Sequence, residues 1–391
     1  MAGCSTPRPC AERVIRRIWS DPRFRAVLWQ VLALAAVLWI AAAILANLFE
    51  NLEGRGIASG FSFLGTTAGF GVTMSLIPFS EASSFGRAFL VGLLNTLLVS
   101  AIGIVLATIL GFVTGIARLS HNWLVARLAE AYVETLRNIP LLLQLFFWYF
   151  AVLRALPAPR QSLNLVGLGF LNNRGLYFPA PIASAGTVEA LIALALAVLA
   201  LIAAMAYRRD KRAVARLTIP WCGLLVLAAL GWLLATVTWD RPRLGGFNFS
   251  GGVALIPEFV ALVVALSSYT AAFIAEIVRA GIQSVPRGQI EAASALGLSR
   301  GHTLRLVIVP QALRVIVPPL TNQYLNLTKN SSLATAIAFP DLVSVFGGTV
   351  LNITGQAVEV IAITMGVYLT ISLTIAGAMN FYNRTIALRG S

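Results

Sequence analysis

Charge is scarce in this chain: only 11% of its 391 residues are Asp, Glu, Lys or Arg, where an ordinary soluble domain carries about 25%. Lysine is almost missing, with Lys211 and Lys329 its sole examples. Neither ends a GxxxxGK-Ser/Thr loop, so the chain has no P-loop with which to hold ATP, and any ATP hydrolysis it depends on must come from a partner. The two histidines, His121 and His302, stand alone, which excludes an HExxH-type metal site. Three cysteines, Cys4, Cys10 and Cys222, offer neither metal-ligand spacing nor a disulfide framework. Cys4 also lacks the apolar stretch that a lipoprotein signal would place before it. No nucleophile–base pair or metal cluster points to an enzyme.

What is present is apolar side chain, 58% of all residues. A soluble protein of this length cannot hide that much, because most of its surface must face water. Lipid is the solvent that fits. A net charge of +14 by itself suggests nucleic acid, but a nucleic-acid reader would not combine it with such hydropathy; a membrane protein distributes it by side.

A hydrocarbon core of about 30 Å needs about 20 mostly apolar residues per helix. Runs of that kind cover 26–49, 88–117, 137–156, 187–206, 218–238, 256–278 and 358–380. A shorter run over 306–327, broken by Pro310, Pro318 and Pro319, makes an eighth. The first run is too long for the core of a cleaved signal and reads as an uncleaved anchor. With eight alternating spans and a cytoplasmic N-terminus, 21 of the 29 basic residues fall inside. These include Arg8, Arg13, Arg16, Arg17, Arg208, Arg209, Lys211, Arg212, Arg216, Arg384 and Arg389, together with Arg118, Arg127 and Arg137 in the loop after the second span. The opposite orientation reverses the ratio and breaks the positive-inside rule, so both termini are expected in the cytoplasm.

The segment Ser284–Leu313 reads as two short helices joined at a glycine bend. Pro286 suits a first turn, Gly297 a left-handed exit, Ser299 an N-cap for the second helix, and Pro310 its end. The first helix carries Glu291, Ala292, Ala293 and Ala295, a small, smooth surface suited to a groove in another protein. An ordinary polar loop with a helical turn is the plainer alternative.

Glu291-Ala292-Ala293, followed by Gly297 and then Pro310, resembles the EAA loop of ABC importer permeases. Arg137-Asn-Ile-Pro-Leu-Leu-Leu-Gln144, Tyr269–Arg279, Pro310–Asn322 and Lys329-Asn-Ser-Ser-Leu333 are similar to the polar amino acid branch of that family. The likeness covers about 85–156 and 256–383, which would supply the five-helix core of a type I importer permease. It implies that Glu291, Ala292, Ala293, Gly297 and Pro310 couple the chain to ATPase subunits. ATP and Mg would be bound there, with no cofactor in this chain. A periplasmic solute-binding protein would deliver polar or general L-amino acids. The longer layout is similar to permeases that work beside a second, different permease, a hetero-dimer in preference to a homodimer.

The expected fold is therefore an all-α, eight-span protein of the inner membrane. It divides into a basic leader 1–25, an anchor and external segment 26–84, core 85–156, inserted loops and a helix pair 157–255, core 256–383 with the loop 284–313, and a tail 384–391. Asn322, Asn326 and Asn330 recur every four residues and share one helical face, with Gln323 and Lys329 nearby. They line the substrate path or serve as interhelical hydrogen-bond glue. Asn95, Thr96, Ser100 and Gln144 read as packing residues, Gly111 and Gly115 as close helix contact, and Glu276 as an ion pair with Arg279. The rival function is an ion-coupled secondary transporter, which would need intramembrane carboxylates facing a cavity.

Overall fold

The computed structural model describes residues 22–54, 60–183, 186–207 and 212–388. The leader with Arg8, Arg13, Arg16 and Arg17, the thiols Cys4 and Cys10, the loop of Arg208, Arg209 and Lys211, and Arg389 lie outside the described residues. Twelve α-helices are described: α1 Pro22–Gly54, α2 Phe85–Ala117, α3 Trp123–Asn138, α4 Leu141–Phe146, α5 Thr187–Tyr207 and α6 Arg212–Thr236, then α7 Pro257–Gln283, α8 Arg287–Ala295, α9 Arg300–Thr303, α10 Val309–Asn330, α11 Leu351–Thr354 and α12 Ala357–Leu388. Among the described residues seven helical stretches are long and apolar enough to cross a membrane. An eighth results when α3 and the helix of Leu141–Leu153, bent by 107° to each other, form one span. Eight spans were expected.

The helix α2 is apolar all round, as a helix between lipid and core should be. Ser84 starts it, its Oγ accepting from the Arg87 N–H at 3.3 Å. It lies along α7, the most buried span, whose Leu262, Leu266, Ile274 and Val278 are closed to solvent. A Cβ on Gly111 would stand 2.5 Å from Ile274 Cγ2, and one on Gly115 2.7 Å from the Ala275 carbonyl. Only hydrogen at these two positions lets the backbones approach so closely, as expected.

Two readings of the sequence are corrected. The stretch 118–137 is not a loop but mostly the helix α3, capped by Asn122, whose Oδ1 accepts from the Leu124 and Val125 N–H groups at 3.0 and 3.3 Å. It runs along α7: the Tyr132 hydroxyl donates to the Ser268 carbonyl at 2.8 Å, and Arg137 stacks over Phe273 at 5.2 Å. Pro140 ends it by forcing Ile139 into the extended region. Gln144 then ties the two sides of the bend, donating to the carbonyls of Leu136 and Ile139 at 2.8 and 2.9 Å. Nor does Pro310 end a helix. It sits in the first turn of α10, and α9 runs into α10 through a π-helical turn, Leu304–Ile308. The wider turn absorbs the carbonyl clash and missing N–H that a proline brings to a helix.

The described residues of the inserted loops add strands to an otherwise helical fold. Strands β1 Leu163–Asn164, β2 Phe170–Asn172, β3 Gly175–Phe178, β4 Ala180–Ala183, β5 Val237–Asp240, β6 Arg243–Gly245, β7 Asn248–Ser250 and β8 Val253–Leu255 form three antiparallel sheets. Pairs β3–β8 and β4–β5 join the loop before the α5–α6 pair to the loop after it. Phe249 stacks on Phe170 at 4.8 Å, and the Tyr177 hydroxyl donates to Asn248 Oδ1 at 2.9 Å. Because β8 leads directly into the start of α7, this cap lies at the end of the bundle opposite the loop that follows α7.

Candidate functional site

That following loop is the most distinctive feature. Val285 is buried at its root, and α8 ends in a left-handed Gly297 with φ of +74°. The Gly297 N–H donates to the Ser294 carbonyl at 3.0 Å and the Leu298 N–H to the Ala293 carbonyl at 3.1 Å, which is the Schellman closure of a helix end. Gln311 Nε2 donates to Gln289 Oε1 at 2.7 Å, fastening α8 to the first turn of α10. Pro310 stands beside Gln311 in that first turn.

The exposed face differs in one residue from that expected. Ala293 is buried, turned inward under the bend, while Glu291, Ala292 and Ala295 face out. Leu296, 81% exposed, stands beside them and was missed by the sequence reading. Its signal was an apolar residue directly before the glycine of the exit. Among the described residues no hydrogen bond or ion pair engages the Glu291 carboxylate. The arrangement offers one carboxylate and one large apolar side chain on a rigid, small-residued helix, a combination suited to a groove with a cationic or donor-rich wall.

The asparagine face of α10 behaves differently. Asn322 and Asn326 are exposed, and Asn330 half-buried. None of the three makes a side-chain hydrogen bond among the described residues. Lys329 is exposed on the same helix and, with Ser332, Met365 and Tyr368, borders a cavity of about 430 Å³.

Two further clusters hold the spans in place. At the end near α8, Glu276 of α7 accepts from Arg279 and also from Arg118 at the end of α2, so the expected pair is a triad. At the opposite end, Asn95 donates to the carbonyls of Met74 and Pro340 at 2.8 and 2.9 Å, and Thr96 Oγ1 accepts from the Leu342 N–H at 3.0 Å. These residues grip the connection between α10 and α12, as packing residues should. Between them Asp341 is fully buried and accepts from the Ser344 N–H at 2.8 Å and the Tyr368 hydroxyl at 3.4 Å. The sequence reading missed Asp341. Its signal was an acidic residue in N-cap position before the apolar run that starts at Leu342.

The family profile described as "Binding-protein-dependent transport system inner membrane component" matches residues 107–385. The chain is 54% identical over 377 residues to YhdX of Escherichia coli (strain K12), which carries the name of an amino-acid ABC transporter permease protein; the match covers 95% of this chain and 96% of YhdX. It is 50% identical over 375 residues to the general L-amino acid transport system permease protein AapQ of Rhizobium johnstonii, covering 94% of each. It is 45% identical over 429 residues to the glutamate/glutamine/aspartate/asparagine transport system permease protein BztB of Rhodobacter capsulatus, covering the whole of both. Among solved structures, that of an amino acid ABC transporter with histidines aligns with 77% of this chain and 95% of its own, at 22% identity and a TM-score of 0.47.

Proposed function

This chain belongs to the family of binding-protein-dependent transport system inner membrane components, and from that membership we propose how its parts serve transport. It is the membrane-spanning permease subunit of an ABC importer of amino acids. ATPase subunits and a solute-binding protein are its partners in the family sense.

The finer assignments rest on the geometry. The loop of α8 docks onto the ATPase, with Glu291, Ala292 and Leu296 entering its groove and Gly297 and Pro310 fixing the angle of entry. ATP and Mg bind to the ATPase, and this chain contributes motion rather than hydrolysis. ATP binding draws the ATPases together, the loop carries the movement into α7 and α10, and the path opens outward; hydrolysis resets it. Asn322, Asn326 and Asn330 face that path, where their amides offer both donors and acceptors to an amino acid's charged ends. A second permease, different from this one, closes the other side. The loop and both termini lie in the cytoplasm, and the β-stranded cap lies outside with the binding protein.

The observation that carries this reading is the Schellman-closed helix presenting an unpaired Glu291 beside an exposed Leu296. Glu291→Lys tests it. The variant should insert in the membrane normally yet bind the ATPase subunit about 30-fold more weakly or worse, and so lose it through purification, since removing one member of a buried charged pair costs about 2–5 kcal/mol. Undiminished retention with full uptake would sink the docking assignment. The rival ion-coupled transporter calls for a carboxylate in a cavity, whereas Asp341 is sealed and Glu276 is held by two arginines.

A further inference from the structure

The turn between α2 and α3 separates two cavities at the end of the bundle that carries the coupling loop. The first, of about 310 Å³, is polar and is bordered by Arg118, Arg127, Glu130, Arg279 and Gln283 with the edge of Trp123. The second, of about 580 Å³, is apolar and is bordered by Phe112, Ile116, Leu304, Ile308 and Ile316 among others. The two adjoin: of the neighbouring pairs Val125/Ala126, Val278/Arg279 and Ile282/Gln283, the first member lines the apolar cavity and the second the polar one.

The polar cavity holds more cation than anion. Arg118 and Arg279 share the single carboxylate of Glu276. Arg127 meets Glu130 at 2.7 Å, but with 68% of its side chain exposed, and such a surface pair is weak and exchanges readily. Three guanidinium groups therefore face two carboxylates. The ends of α2 and α7 point their carbonyls here, which accounts for arginines at this place but leaves the excess charge unmatched. Trp123, 75% exposed, and the exposed Leu124 and Leu128 mark the depth at which spans meet the headgroup layer.

We propose that this pair of cavities binds one anionic glycerophospholipid of the leaflet on the coupling-loop side. Its phosphate takes the place of Glu130 on Arg127 and lies beside Arg118 and Arg279. One acyl chain enters the apolar cavity between α2, α7 and the π-helical turn. Guanidinium matches phosphate oxygens two at a time, and basic pockets between spans are sites of this kind. The lipid then sits at the root of the helix that leads into α8.

The experiment uses the full permease–ATPase complex in nanodiscs of phosphatidylcholine with a minority of phosphatidylglycerol, followed by release into mild detergent and native mass spectrometry. One phosphatidylglycerol per copy of this chain should be retained, with phosphatidylcholine excluded. Arg127→Gln should lower that retention about tenfold, and Ala117→Phe, which fills the apolar cavity and leaves the arginines in place, should lower it as well. Thermal unfolding of each variant checks that it is folded. Equal retention of both lipids, no retained lipid at all, or retention unchanged in an Arg118→Gln/Arg127→Gln double variant overturns the proposal. So does inorganic phosphate that stabilises the complex in pure phosphatidylcholine as much as phosphatidylglycerol does, because a free anion does not use the apolar cavity.

Discussion

Replacing Gly297 with valine isolates the backbone of the coupling loop from everything around it. A Cβ at this position would meet no atom within 4 Å, so the substitution collides with nothing. Its whole cost lies in φ, which is +74°. Holding an L-residue there costs about 1–2 kcal/mol, and more for a β-branched one. The alternative is to let the bend open, which gives up the bonds from Gly297 N–H to Ser294 and from Leu298 N–H to Ala293 and re-aims α9 against α8. Those two bonds are worth about 0.5–1.5 kcal/mol each. Either way the competent geometry loses roughly 2 kcal/mol, about a 30-fold fall in its population. A graded series makes the argument quantitative: asparagine, which tolerates the left-handed region, should be mildest, alanine intermediate and valine worst. The assay is the amount of ATPase subunit retained on the purified permease together with ATP-driven uptake in vesicles, with membrane insertion as the control. Valine matching glycine in both readouts, or asparagine proving worse than valine, refutes the reasoning.

Other expectations follow from packing, path and topology. Gly111→Val puts side chain into Ile274 and the Ala271 carbonyl, so it should lower thermal stability by about 1–3 kcal/mol; an unchanged unfolding temperature would contradict the close α2–α7 contact. Asn326→Leu keeps size while removing donor and acceptor, so uptake should fall while basal ATPase activity of the complex persists. Intact uptake with lowered stability would assign the asparagine face to subunit packing instead. A reporter active only outside the cytoplasm should be silent when fused after Arg216 and active after Arg243, and the reverse at both points would overturn the orientation.

Much of this was legible in the sequence because the chemistry is one-dimensional there. A run of apolar residues as long as the bilayer is thick declares a span whatever its neighbours do, and Gly297 after a short alanine-rich helix declares its own bend. The glycines of α2 likewise marked the face that meets α7. What stayed hidden depends on neighbours distant in sequence. The helix α3 carries Arg127, Glu130, Glu134 and Arg137 and reads as a polar loop, until α7 is seen to hold it through the Ser268 carbonyl and the Phe273 ring. Strands of two to four residues in the cap are too short to show an alternation, and the pairs β3–β8 and β4–β5 form only because two loops 50 or more residues apart meet, as Tyr177 and Asn248 do, 71 residues apart. Pro310 misled for a local reason: a proline ends a regular helix, but a preceding π-helical turn makes room for it. Asp341 gives no sign of its burial except its position before an apolar run.

The measurement that bears most directly on the central claim is amino-acid uptake into proteoliposomes holding the purified permease–ATPase complex. The account predicts uptake that needs ATP on the coupling-loop side and the binding protein on the side of the β-stranded cap. It also predicts no response to an imposed ion gradient in the absence of ATP. Uptake driven by an ion gradient alone, without ATP or binding protein, would contradict it.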